Sequence, residues 1–162
     1  PKRSIKCFVC DPGRISALPQ SEFCEDCPAG KKTAKASTFC KTCGAGFYAP
    51  PKSSICYECA AGTFSNETSA RKCTDCRPGR VAPRKNSTIC TRCTVGKYQA
   101  YGGQLECLAC ETGKYQPRRN ATACHICPVG TFNAVENATS CSLCARGKYA
   151  REAGRFSACH FR

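Results

Sequence analysis

Cys110-ETGKYQPRRNATA-Cys124-His125-Ile126-Cys127 is one complete turn of a repeating sentence. An opening cysteine is followed three residues later by Gly113 and five residues later by Tyr115. A stretch rich in Pro, Arg and Asn leads to the closing cysteine, and three residues later the next opening cysteine begins the sentence again. Read outward in both directions, the same grammar covers almost the whole chain. Cysteines stand at 7, 10, 24, 27, 40, 43, 56, 59, 73, 76, 90, 93, 107, 110, 124, 127, 141, 144 and 159, that is, nine C-x2-C pairs and a final single Cys159. Self-similarity at a fixed period marks a repeat architecture and takes precedence over any local reading of helix and strand.

The repeats are 10–24, 27–40, 43–56, 59–73, 76–90, 93–107, 110–124, 127–141 and 144–159, referred to below as modules 1 to 9. Residues 1–9 read as the end of a preceding module and 160–162 as the start of the next linker. Each module carries a glycine at the same offset: Gly13, Gly30, Gly46, Gly62, Gly79, Gly96, Gly113, Gly130 and Gly147. A glycine fixed at one offset predicts positive φ or a close backbone approach just after the cysteine. Two residues on stand Ile15, Lys32, Tyr48, Phe64, Val81, Tyr98, Tyr115, Phe132 and Tyr149. All but Lys32 are aromatic or β-branched, which suits a short strand. The middle of each module has the composition of a turn or loop. No window has helical periodicity. The reading is a small, disulfide-rich, all-β protein with much irregular structure: an elongated, solenoid-like rod of nine hairpin modules with little or no helix, each module touching only its neighbours.

The 19 cysteines among 162 residues exceed the level that signals a disulfide scaffold. Large apolar side chains are too sparse for an ordinary core, and small modules in that position use staples. Two pairings use eighteen of the cysteines. A ladder joins Cys10–Cys24, Cys27–Cys40, Cys43–Cys56, Cys59–Cys73, Cys76–Cys90, Cys93–Cys107, Cys110–Cys124, Cys127–Cys141 and Cys144–Cys159, leaving Cys7 to pair outside the segment. A local scheme closes each C-x2-C on itself and leaves Cys159. The ladder is favoured, because C-x2-C disulfides are typically redox-active and would leave every loop unconstrained. Zinc knuckles are the competing use of paired C-x2-C motifs. They would be taken in twos, whereas all nine gaps here share one signature, so no metal is expected.

Four N-x-[ST] sequons occur, at Asn66, Asn86, Asn120 and Asn137. The last three lie ten residues after their opening cysteine, so covalent N-glycans are expected at equivalent loops. The net charge of +14 attracts polyanions. Outside the cell that makes an acidic polysaccharide the candidate partner, not nucleic acid. Arg14, Lys31, Arg80, Lys97, Lys114 and Lys148 follow the repeat glycine and form a line, either an anion-binding stripe or an edge guarded against strand pairing. There is no apolar run long enough to span a membrane. The two histidines, His125 and His160, belong to no nucleophile–base arrangement, so the sequence points to no enzyme and no cofactor.

The string C-x2-C-[PA]-x-G-[TK]-[YF], with its partner cysteine about 13 residues on, resembles the ephrin-receptor-like cysteine-rich repeat. A single unit is similar to the first submodule of tumour-necrosis-factor-receptor cysteine-rich domains, where one disulfide closes a short β-structure. In those receptor domains a second submodule alternates with the first; here one kind recurs nine times. The resemblance implies an extracellular or cell-surface protein. The uniform repeat favours a structural segment of a glycoprotein rod or filament, continued end to end by self-association or a longer parent chain. The alternative is the ligand-binding ectodomain of a receptor or adhesion protein, with Phe47-Tyr48 and Tyr98–Tyr101 as the richest candidate surfaces.

Overall fold

The computed structural model describes residues 8–19, 21–155 and 159–161. Cys7, with the question of its partner, lies outside the described residues. Among the described residues there is no helix, and the regular structure is eighteen two-residue strands paired into nine antiparallel hairpins. Each hairpin begins right after the repeat glycine, and the first eight end between two cysteines: Arg14–Ile15 with Glu25–Asp26, Arg80–Val81 with Thr91–Arg92, Lys114–Tyr115 with His125–Ile126. A two-residue ladder is too short to stand alone in water. One disulfide closes each module, from Cys10–Cys24 through Cys144–Cys159. Every C-x2-C pair from Cys24-Glu-Asp-Cys27 onward is therefore divided between two neighbouring modules.

The repeat glycine has one local cause. In module 5, Arg77-Pro78-Gly79-Arg80 is a turn in which the Arg80 amide donates to the Arg77 carbonyl at 3.1 Å, with Gly79 at φ +80°. A type II turn requires positive φ at its third residue and favours proline at its second. The turn hands the chain directly to the first strand.

The described residues form two compact units. One holds the residues up to Ala60 with Phe64–Thr74 and Lys85–Ile89; the other holds Ala61–Thr63, Asp75–Arg84 and the residues from Cys90 on. Within each, the same backbone bonds join one module to the next. In the second unit, the Gly96 amide donates to Gln116 O at 2.8 Å, Gln99 N to Ala121 O at 3.0 Å, and Asn120 N to Cys93 O at 2.8 Å. In the first, Gly30 N donates to Ala49 O at 2.7 Å, Thr33 N to Ser53 O at 3.1 Å, and Lys52 N to Cys27 O at 2.9 Å. Backbone groups that a two-residue hairpin cannot satisfy are thus satisfied by the following module.

Contact does not stop at the nearest neighbour. A Cβ placed on Gly96 would lie 2.1 Å from Asn137 O, and one on Gly30 would lie 1.9 Å from Ser69 O. Those partners belong to the second module along. The expectation that modules touch only their neighbours is therefore corrected: the glycine turn of one module is a seat for the loop of the module two further on. The residue that sits there has left-handed backbone: Lys52, Ser69, Asn86, Gly103, Asn120, Asn137 and Gly154 all have φ between 58° and 77°.

The core of each unit is largely cystine sulfur. Cys27, Cys59, Cys76, Cys93, Cys110 and Cys127 are each 0% exposed. From module 2 on, the residue three after the repeat glycine is buried as well: Thr33, Ala49, Ser65, Ala82, Gln99, Gln116, Asn133 and Ala150. The polar members are satisfied by their own loops, as where Gln99 Nε2 donates to Glu106 O at 2.8 Å and Thr33 Oγ1 to Phe39 O at 3.0 Å. Tyr98, Tyr115 and Tyr149, one residue earlier, are only half-buried.

Candidate functional site

The repeat builds one recurring surface junction. It combines the strand residue after the glycine, the residue opposite it on the second strand, and the left-handed loop residue of the second module along. In module 1 these are Arg14, Asp26 and Lys52. Arg14 and Asp26 face each other across the ladder, Arg14 Nε meets Asp26 Oδ1 at 2.9 Å, and Lys52 Nζ meets Asp26 Oδ2 at 3.0 Å. The Lys52 hydrogen bond, joined by the charge of Arg14, holds the Asp26 carboxyl below its ordinary pKa. The carboxylate ties three chain segments into one charged knot.

In module 5 the same three places hold Arg80, Arg92 and Asn120. Arg92 stands directly opposite Arg80 on the ladder. Like charges at opposed positions of an antiparallel pair repel. Arg80 Nε donates to Asn120 Oδ1 at 3.0 Å, which fixes the arginine but supplies no negative charge. Arg118 and Arg119, both exposed, precede Asn120 on the same loop. Module 5 contains no acidic residue between Cys76 and Cys90. In module 7 the places hold Lys114, Ile126 and Gly154, and Lys114 turns instead to Glu111 at 2.9 Å. That hydrogen bond lowers the Glu111 carboxyl and raises the Lys114 ammonium. The line of basic residues after the glycines is thus not uniform, because its members differ in what faces them.

Asn86, Asn120 and Asn137 are exposed, and all three are left-handed loop residues. Their common offset has a backbone cause: asparagine tolerates positive φ better than other non-glycine residues, and Gly103 and Gly154 take the same place in modules 6 and 9. Asn66 is exposed at a different point of its loop. His125 and His160 lie opposite Tyr115 and Tyr149 on their ladders, with ring centroids 5.6 and 6.3 Å apart. Phe47 and Tyr48 are half-buried and Tyr48 packs on Tyr57, ring centroids 5.6 Å apart, whereas Tyr101 is 73% exposed. Hollows on the surface follow the modules. One of about 310 Å³ is lined by Ser16, Leu18, Phe23 and Glu25, and its counterpart of about 240 Å³ in module 2 by Lys32, Thr33, Phe39 and Lys41.

The model of the tyrosine-protein kinase ephrin type A/B receptor-like family matches residues 79–123, 101–144 and 113–160 in overlapping register. Together these span 79–160, just over half of the chain. The chain belongs to the ephrin-receptor-like family. No curated protein matches it. The overlapping matches step along the tandem modules. The ephrin-receptor-like repeats and the disulfide in every module make this a segment of a receptor-type extracellular domain. No helix among the described residues is long and apolar enough to cross a membrane.

Proposed function

We propose that these ephrin-receptor-like repeats are a structural segment of an extracellular glycoprotein, a non-catalytic spacer assembled from interchangeable modules. The observation that carries this reading is the sameness of the junctions. The glycine amide of each module from Gly13 to Gly130 donates to the following module at 2.7–3.0 Å, and seven glycine turns from Gly13 to Gly113 seat the loop of the second module along. An array that repeats one junction supports a length, not a unique pocket. The exposed Asn66, Asn86, Asn120 and Asn137 support N-glycans as its covalent decoration.

Interchangeability is testable by removing one period. Deleting 93–109 places module 7 directly after module 5 and keeps every opening-to-closing cysteine spacing intact. The shortened chain is expected to fold with one disulfide fewer, verified by non-reducing peptide mapping, and to unfold in a single transition near that of the parent. Free thiols or scrambled pairing in neighbouring modules would show that position in the array matters and overturn the reading.

A further inference from the structure

We propose that the Arg80–Arg92–Asn120 junction, with Arg118 and Arg119 beside it, is a binding site for a sulfated polysaccharide. Module 1 shows what the junction is built to hold. There a carboxylate sits between two cations that come from modules 1 and 3, at 2.9 Å from one and 3.0 Å from the other. The backbone around module 5 is the same: its ladder has the same register, its glycine turn has φ +80° against +87°, and the seated loop residue has φ 61° in both. Only the side chain in the middle differs. With Arg92 in place of the internal anion, the anion must come from outside.

The remaining features fit that occupant. Arg80 is held by its hydrogen bond to Asn120, so one guanidinium is already oriented. Arg92, Arg118 and Arg119 are exposed, and Arg92 makes no ion pair among the described residues. Guanidinium forks match the paired oxygens of a sulfo group and release little water in doing so. Several of them on adjoining segments fit a chain with sulfates at intervals better than a lone ion. The domain is extracellular, where sulfated polysaccharide is the abundant polyanion. This inference stands apart from the spacer reading, since an interchangeable array can carry one charged junction.

Asn120 opens a sequon, and a glycan there would stand over the junction. Every arm of the test therefore carries Thr122→Ala, which removes the sequon and keeps the asparagine. Binding of a heparin-derived octasaccharide is measured by calorimetry at physiological salt, after peptide mapping has verified the disulfides. One site is expected. Arg92→Asp, which writes the module 1 arrangement into module 5, is expected to weaken binding at least tenfold. Lys97→Asp removes the same charge elsewhere and is expected to change it less than twofold. Arg92→Gln keeps the test readable should the acidic variant fold poorly, and is expected to weaken binding severalfold. Asp26→Arg is expected to create a second site on module 1. Equal losses from Arg92→Asp and Lys97→Asp would reduce the effect to net charge and overturn the proposal. So would no measurable binding, or equal affinity for hyaluronan, which has no sulfate, or for a DNA oligonucleotide of matched charge.

Discussion

Module 1 and module 5 share a backbone and differ in what holds their charged junction together. In module 1, Asp26 neutralises Arg14 and Lys52 and links a strand, its partner strand and a loop two modules away. In module 5, Arg92 opposes Arg80 and the link runs through the neutral amide of Asn120. The repeat therefore fixes geometry separately from chemistry. Turn, ladder and seat are dictated by cysteine and glycine spacing, which leaves the three facing side chains free to be an internal ion pair or an exposed cluster of one sign. A repeat of this kind acquires a binding site by losing a carboxylate, with no change in fold.

The largest effect is expected from the staple. Replacing both Cys76 and Cys90 by Ala is expected to cost about 3 kcal/mol, by the chain-entropy account of a loop of this length. The same double replacement at Cys10 and Cys24 removes an equivalent closure. Because module 1 retains its internal ion pairs, whereas module 5 has opposed arginines and a single hydrogen bond to a neutral amide at the corresponding place, thermal unfolding is expected to fall further for the module 5 variant. Equal losses would mean that the junctions contribute nothing beyond the disulfide.

The next effect isolates the seat for the second module along. Gly79 and Gly130 have nearly the same backbone, φ +80° and +79°. A Cβ on Gly79 would lie 2.4 Å from Asn120 O, while one on Gly130 meets no described residue within 4 Å. Gly130→Ala is expected to cost about 1 kcal/mol, the strain of positive φ alone. Gly79→Ala adds the displacement of a packed loop, roughly 2 kcal/mol more. Denaturant titration of the two variants measures the difference, and a difference of zero would remove the long-range contact from the account of stability.

Much of this was legible from sequence because the decisive residues are chemically single-purpose. Cysteine at a fixed interval and glycine at a fixed offset admit few structures, and the helix-free, hairpin-per-module fold follows from them. The seat was harder to read. Its signal is a carbonyl packed on a glycine, and backbone atoms leave no trace in composition. Yet the recurrence of Asn or Gly at one offset, in Asn86, Gly103, Asn120, Asn137 and Gly154, is the mark of a left-handed residue, and the same asparagines also open sequons. The buried position three after the glycine was missed for a different reason. Thr33, Gln99, Gln116 and Asn133 are polar, and only the loop carbonyls that accept their hydrogen bonds make burial tolerable. The contrast between Asp26 and Arg92 lies in the two-residue gap between cysteines, and its meaning depends on a ladder register that spacing alone does not give.

The smallest effect is the most specific to the charged junction, because it depends on pH. The carboxyl of Asp26 is lowered in the folded chain by Lys52 first and Arg14 second, so folding favours its ionised form. A lowered acid stabilises the folded state in full above its unfolded pKa, about 4, and that contribution disappears as pH falls through the lower folded value. Asp26→Asn is therefore expected to be less stable than the parent at neutral pH by a constant small margin. The margin should narrow below about pH 4 and vanish once the parent carboxyl is protonated. High salt should shrink the neutral-pH margin as well, since all three groups are solvent-exposed. Arg92→Asp should show the opposite pattern relative to its parent. Its stability should rise at neutral pH, where a carboxylate relieves the repulsion around Arg80, and lose the gain in acid. If the module 5 variant shows no such acid-dependent gain, the two junctions are not equivalent, and the reading of module 5 as an anion seat lacking its anion fails with it.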